Sequence, residues 1–483
     1  MNKTYKRDIV HGTLWSLVGQ VGYMAIALIS NIILARILSP HEFGQVGIVM
    51  FFIITGKVIT ESGLSGALIR KKYTSEADYS TVFIFNLITA AVLVILLIST
   101  SGLIADFYKD SALRNIIIVS SIVLIINAFQ ISHTAKLIHQ LKFKKKGIYQ
   151  FLSILISAII AIILALNGYG VWSIVTMQIL TALFLTILLW TFEDKVSFYG
   201  FSKESFKELY KFGVNTTLAS VMNSFFDNIY QLILGKYFAI SQTGLFYQAK
   251  KLQEVPGQII NSVVNGPVFS SLSKIQNDQQ FFMQFYKRIA TLYTVFIGAI
   301  CVFIYYYAEN LILLLYGKQW IGATFFLKIL SMATFFYLQE MINRLIFKIF
   351  NRTEKILYLE LIKKSIQAIT IVVGIYFKDM GWLLYGFLLT SVISYVMNLL
   401  LTKRLLNDNS WYELIVVLKI IFISLLTVGI GLKVQVAFHL EGYSSFLLLP
   451  LLSLAFIVGV KMFNVSNILN DLKMVRSLMK LEK

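Results

Sequence analysis

Charged side chains recur at helical spacing inside apolar runs, and these are the places where the sequence could do chemistry. Lys57 and Glu61 stand four residues apart within the apolar stretch 43–69, so they share one helix face. Lys250 and Glu254 repeat the arrangement within 245–273, with Lys251 beside them. Glu340 and Arg344 do so again within 322–350. An ionisable group in apolar sequence is expensive in lipid and is kept where it faces a cavity or a partner. One reading is a lumen lined by cations, whose carboxylate partners keep them oriented and charged until an anion arrives. The structural alternative is a set of ion pairs that only hold helices together. Lys57, Lys250, Lys251 and Arg344 are therefore candidate anion-binding residues, with Glu61, Glu254 and Glu340 as charge partners. Arg344 is the strongest of them, because a guanidinium grips phosphate bidentately.

Glu360, Lys363 and Lys364 lie in the run 355–377. The two lysines fall within about two turns of an expected membrane edge, where long cations reach for headgroups, and snorkelling is the favoured reading. Asp227 sits near the middle of 212–238 beside Asn223 and Asn228, with no Lys or Arg within four residues. It reads equally as a coupling-ion site or as the partner of a cation on another helix. The run 245–273 contains Pro256-Gly257 and Gly266-Pro267, which are two of only 4 prolines in the chain, together with Gln253, Gln258, Asn261 and Asn265. A helix so interrupted suits a gate beside a cavity rather than a lipid-facing span.

Other chemistries find no residues. There is no G-x-x-x-x-G-K-[ST] phosphate loop and no H-E-x-x-H. The 5 histidines lack metal-ligand spacing, and the 1 cysteine, Cys301, forms no disulfide framework. No cofactor, no metal and no enzymatic activity are expected.

The elements that must position these residues follow from composition. The 483 residues are 57% hydrophobic and 14% charged, with a mean hydropathy of +0.75. A soluble chain carries about 25% charged residues. Apolar runs long enough to cross a hydrocarbon core of about 30 Å recur throughout, and they do not alternate as barrel strands would. The fold class is all-α and integral to a membrane, with about fourteen transmembrane helices. The net charge of +19 comes from short clusters between apolar runs, which is positive-inside topology and not a nucleic-acid surface. Clusters fall at the N-terminus, 70–72, 136–146, 195–211, 274–288, 348–355, 403–404 and the C-terminal tail, so both termini are expected in the cytoplasm of a multi-pass plasma-membrane protein. The first apolar run lacks a cleavage site and should be a retained helix.

Two hundred residues apart, Ile33-Leu34-Ala35-Arg36 through Gly44 and Ile233-Leu234-Gly235-Lys236 through Gly244 fall in register. This duplication predicts two six-helix lobes, 1–205 and 206–405, followed by a segment 406–483 with two extra helices and a basic tail. Six helices is an even number, so the repeats run parallel about an axis along the membrane normal. The mixed charges of 193–211 suit an amphipathic helix lying on the inner leaflet between the repeats. Arg36 and Lys236 end the first helix of each lobe on the cation-poor side, as snorkelling residues.

The stretch Leu34-Ala35-Arg36-Ile37-Leu38-Ser39-Pro40-His41-Glu42-Phe43-Gly44 resembles the first hairpin of Wzx-type polysaccharide flippases. Glu61 through Ile69, Ile104 through Tyr108, Leu141-Lys142-Phe143, Gly168 through Ser173, Asn223, Asp227, Pro256, Pro267 and Tyr286-Lys287-Arg288 extend the resemblance over about 10–400. It departs at Thr243-Gly244-Leu245-Phe246, where members often carry L-G-x-Y. The branch is that of the lipopolysaccharide, colanic-acid and teichuronic-acid exporters of the multidrug/oligosaccharidyl-lipid/polysaccharide superfamily. The resemblance implies alternating access by two lobes around a V-shaped cavity in a bacterial inner membrane. It also implies an undecaprenyl-pyrophosphate-linked oligosaccharide as cargo, with polymerase or assembly proteins as candidate partners. A multidrug or ion antiporter of the same superfamily is the nearest alternative, but a cationic cargo would want an acidic lumen. A membrane glycosyltransferase or polymerase would need a long external loop with catalytic residues, and a scaffold would not need intramembrane charge.

Overall fold

Several helices begin where the sequence supplies a side-chain cap. A computed structural model describes residues 3–61, 63–193, 199–440 and 442–466; the side chains of 3–18, 211, 212, 215, 262, 263 and 267 lie outside the described residues, as do Lys195 and the basic tail beyond 466. The described residues form two compact units, Met1–Tyr247 and Gln248–Lys483.

The first unit holds α1 (Lys3–Ile37), α2 (Pro40–Glu61), α3 (Leu64–Arg70), α4 (Glu76–Tyr108), α5 (Ala112–His139), α6 (Phe143–Leu166), α7 (Trp172–Phe192), α8 (Lys203–Tyr237) and the first turns of α9 (Ile240–Val263). Pro40 opens α2, and Ser39 and Glu42 cap it reciprocally: the Ser39 amide donates to Glu42 Oε2 at 2.7 Å and the Glu42 amide to Ser39 Oγ at 3.4 Å. Ser75 and Asp78 build the same box at the start of α4. The outer face of α4 presents Ile88, Val92, Ile95 and Leu103, each more than half exposed, as a lipid-facing helix should. α2 is the most enclosed span of this unit, with 61% of its window buried.

The two turns of the duplication meet here. A Cβ added to Gly44 would overlap the Ile240 carbonyl oxygen, and one added to Gly244 would overlap the Pro40 carbonyl oxygen. The helix starts therefore cross backbone to backbone, which only glycine permits at both positions. Gly44→Ala is expected to lower thermal stability by about 1–3 kcal/mol through forced displacement of α9. Gly102→Ala, in α4 with nothing within 4 Å of the added atom, should be neutral or slightly stabilising, and equal midpoints for the two variants in detergent unfolding would remove the crossing from the account.

Among the described residues of 193–211, no separate surface helix forms. From Lys203 the segment is the start of α8, capped by Ser202, whose hydroxyl accepts from the Ser205 amide. No proline follows within α8, so the turns that begin at Lys203 continue straight into the span. Lys71 ties this end down, with Nζ 3.0 Å from Asp78 and 2.7 Å from Glu208. Burial alone would lower the Lys71 ammonium, but the hydrogen bonds to Glu208 and Asp78 outweigh it and hold the group above its ordinary value. α8 packs on α2, α3 and α4 and so belongs to the same compact unit as they do.

The second unit takes the rest of α9, a π-helical turn (Val264–Val268), α10 (Phe269–Lys274), α11 (Gln279–Tyr306), α12 (Ala308–Leu315), α13 (Ala323–Ile349), α14 (Thr353–Phe377), α15 (Met380–Leu406), α16 (Tyr412–Ala437) and α17 (Leu449–Met462). α13 is its axis, with 67% of its window buried, and α11 and α15 flank it. The additional pair packs on α11, where Ile420 of α16 and Phe456 of α17 crowd Gly298.

Among the described residues, 11 helices are long and apolar enough to cross a membrane. The three expected spans missing from that set are helical, and they correspond to α8, α9 and α14. They fail on composition because they carry Asp227, Lys250 through Glu254, and Glu360 through Lys364. The protein is thus an all-α multi-pass membrane protein whose most polar long helices are those bearing candidate site residues.

Candidate functional site

On α2, Lys57 is exposed and Glu61 half-buried. Helical spacing puts them on one face, yet among the described residues they do not close into an ion pair. The group that accompanies them comes from another helix: Lys146, near the start of α6, lies within electrostatic reach of both. Two cations and one carboxylate thus influence one another electrostatically here.

On α8, Asp227 occupies the exposed side. Its neighbour Asn228 faces inward and donates from Nδ2 to the Ser224 carbonyl at 2.9 Å.

On α9, Lys250 pairs with Glu254 at 3.7 Å, as the spacing predicts, and Lys251 is exposed. α9 runs unbroken through Pro256. The interruption lies further on, in the π-helical turn containing Gly266 and Pro267; the Pro267 side chain is outside the described residues. Gly257 and Gly266 each have open space where a Cβ would stand, so neither is required by close packing.

On α13, Arg344 contacts both Glu340, one turn earlier, and Glu360 of α14. Lys363 of α14 reaches Glu340 Oε2 at 3.0 Å, and the Ser394 hydroxyl of α15 donates to the same oxygen at 2.7 Å. Glu340 is only 1% exposed. Two cations and two carboxylates make this network neutral, and three helices are joined by it. The snorkelling expected of Lys363 and Lys364 does not occur. Lys363 turns inward to the carboxylate, and Lys364 is 7% exposed, because a buried carboxylate on the next helix is a better partner than distant headgroups.

Lys348, one turn beyond Arg344 on α13, is exposed and donates to Asn265 Oδ1 at 2.9 Å. It therefore addresses the π-helical turn. Sequence reasoning missed Lys146 and Lys348 because both fall near helix ends, where a membrane-edge lysine is the default reading. Near the outer limit of α7, Glu193 collects Lys145 at 2.8 Å and the Tyr149 hydroxyl at 2.7 Å. Burial alone would raise this carboxyl, but those two donors, with Lys142, hold it below the usual carboxylate range. Among the described residues no cluster of His, Cys, Asp or Glu could hold a metal ion.

This arrangement of helices matches solved membrane transporters. The lipid II flippase MurJ in an inward closed conformation superposes with a TM-score of 0.72 at 16% identity, covering 93% of this chain and 98% of that one. An inward-facing multidrug resistance MATE family transporter of the MOP superfamily gives 0.60 at 14% identity over 80% of this chain and 94% of that one. The fold is that of this superfamily. The chain belongs to the family described as polysaccharide biosynthesis protein, whose model matches residues 33–325. Among curated relatives, the succinoglycan biosynthesis transport protein ExoT of Rhizobium meliloti is 23% identical over 65% of this chain and 64% of its own length. The lipopolysaccharide biosynthesis protein WzxC of Escherichia coli is 22% identical over the same shares. The teichuronic acid biosynthesis protein TuaB of Bacillus subtilis is 21% identical over 67% and 68%. The chain thus spans a little under two thirds of the length of the first two.

Proposed function

We propose that the protein moves an undecaprenyl-pyrophosphate-linked oligosaccharide across a bacterial inner membrane by alternating access, during assembly of a surface polysaccharide. The observation that carries this reading is the cation excess on polar helices of a chain belonging to a polysaccharide biosynthesis family. Lys146 lies within electrostatic reach of Lys57 and Glu61, Lys250 pairs with Glu254 next to Lys251, and Lys348 adds a further charge. Cations carried on membrane helices suit a pyrophosphate. The names of the relatives, a succinoglycan transport protein and two polysaccharide biosynthesis proteins, support the same cargo class. Lys57, Lys250 and Lys251 hold the diphosphate in this proposal, and Asp227 binds or releases a coupling ion. The interrupted segment around Gly266 and Pro267 moves as the access changes. Both termini lie in the cytoplasm, and the two repeats, 1–205 and 206–405, act as the moving lobes.

The test is reconstitution in liposomes carrying a fluorescent undecaprenyl-pyrophosphate oligosaccharide in both leaflets, with an impermeant quencher outside. Protein should make inner-leaflet label accessible, whereas an equally labelled phosphatidylcholine should stay protected. Accessibility equal to that of protein-free liposomes would refute the proposal.

A further inference from the structure

Where α13, the α14 start and the end of α15 come together, a cavity of about 420 Å³ opens, lined by none of Lys57, Lys146, Lys250, Lys251 and Lys348. Arg352, Lys355 and Arg404 line its polar side, with Glu354 as the lone carboxylate. Phe347, Leu401 and Leu405 supply an apolar floor. We propose that this cavity binds the phosphate head and glycerol backbone of an anionic two-chain phospholipid of the surrounding bilayer.

Four observations point to that ligand. The cavity is cationic in balance, because Glu354 is 3.9 Å from Arg352 and both are more than half exposed, a geometry in which an ion pair neutralises little. Lys403 is occupied elsewhere, with Nζ 3.4 Å from the Trp411 ring centre, so Arg404 is the cation that α15 contributes. Arg352 precedes α14 without giving it a side-chain cap. The partial positive charge of that 25-residue helix therefore faces the same space. The apolar floor runs on to an exposed greasy surface, with Leu357 and Leu361 on α14 and Val396 and Leu400 on α15 all exposed. A soluble phosphate would use the cations and leave the floor unused. A phospholipid uses both, with its phosphate on the guanidinium groups and its chains along that surface. Basic pockets at the ends of membrane helices select such headgroups, each cation contributing a factor of roughly five.

The full-length protein would be measured by native mass spectrometry after equilibration with phosphatidylglycerol and phosphatidylcholine in equal amounts. The wild type should retain phosphatidylglycerol preferentially. The triple variant Arg352→Gln/Lys355→Gln/Arg404→Gln should lose that preference by on the order of a hundredfold. A control with the same loss of charge, Lys72→Gln/Lys144→Gln/Lys378→Gln, should keep it. Arg404→Gln alone, a milder change for a chain that must fold, should lose roughly fivefold. Unchanged preference in the triple variant, or an equal loss in the control, would overturn the assignment. Displacement of bound phospholipid by equimolar inorganic phosphate would overturn it in favour of a free-anion site. Loss of undecaprenyl phosphate with phosphatidylglycerol retained would overturn it in favour of a polyprenyl lipid.

Discussion

Arg344→Ala should destabilise the protein by about 3–5 kcal/mol, the cost of leaving a buried charge without its partner. Arg344 is the cation shared by Glu340 and Glu360. Its removal takes a cation from both carboxylates and leaves Glu340, only 1% exposed, paired with Lys363. The Ser394 hydroxyl is a neutral donor and does not replace a guanidinium. The expected readout is a lower thermal midpoint in detergent and a lower folded yield. A midpoint equal to wild type would show that the network is not holding α13, α14 and α15 together. Glu340→Gln/Arg344→Met restores neutrality, since one carboxylate, Glu360, and one cation, Lys363, remain, and should recover most of the stability because an apolar substitute for a buried ion pair is often tolerated. Export by this double variant then separates two roles. Recovered stability with recovered export makes Arg344 a structural residue. Recovered stability without export makes the guanidinium a contact of the cargo or of the moving machinery.

That experiment bears on what the sequence could disclose. The helices were legible because lipid leaves a helix few alternatives, and apolar length alone marks α4, α5 or α16. Polar α8, α9 and α14 were legible for a second reason. The repeat aligned them with more apolar counterparts, and its two glycines, Gly44 and Gly244, turn out to touch. Side-chain partners were harder to read. Spacing of four residues gives a shared face and nothing more. It was sufficient for Lys250 with Glu254 and for Arg344 with Glu340, where no stronger competitor intervenes within the turn. It failed for Lys57 with Glu61, which share a face of α2 without closing into an ion pair, while Lys146 comes within electrostatic reach from α6. It also missed Glu360 and Lys363 as partners of the α13 pair, since that contact depends on how α14 is rotated against α13. Helix rotation is set by packing along the whole interface, and no local pattern reports it. The membrane-edge default hid Lys146, Lys348 and Lys363 in the same way: depth along a helix was legible, direction around it was not.

Lys57→Ala should do the opposite of Arg344→Ala, leaving the fold alone and removing the activity. The Lys57 side chain is exposed on α2 and lacks a closed pair with Glu61, so its loss strands no buried carboxylate. Stability should stay within about 0.5 kcal/mol of wild type. Transport is expected to fall about ten- to a hundredfold, the value of one charge-assisted contact of roughly 1.5–3 kcal/mol to a phosphate. Lys57→Arg keeps the charge and should keep most of the rate. Lys57→Glu places a second carboxylate beside Glu61 and should abolish transport by repelling the diphosphate. Because Lys146 faces the same carboxylate, it can partly replace Lys57, and the double variant Lys57→Ala/Lys146→Ala should be worse than the product of the two single effects. Surface polysaccharide at matched protein levels and the liposome assay provide independent readings. Wild-type rates in both the single and the double variant would refute an anion-binding role for this end of α2, and the cation excess would then have to act through α9 and Lys348 alone.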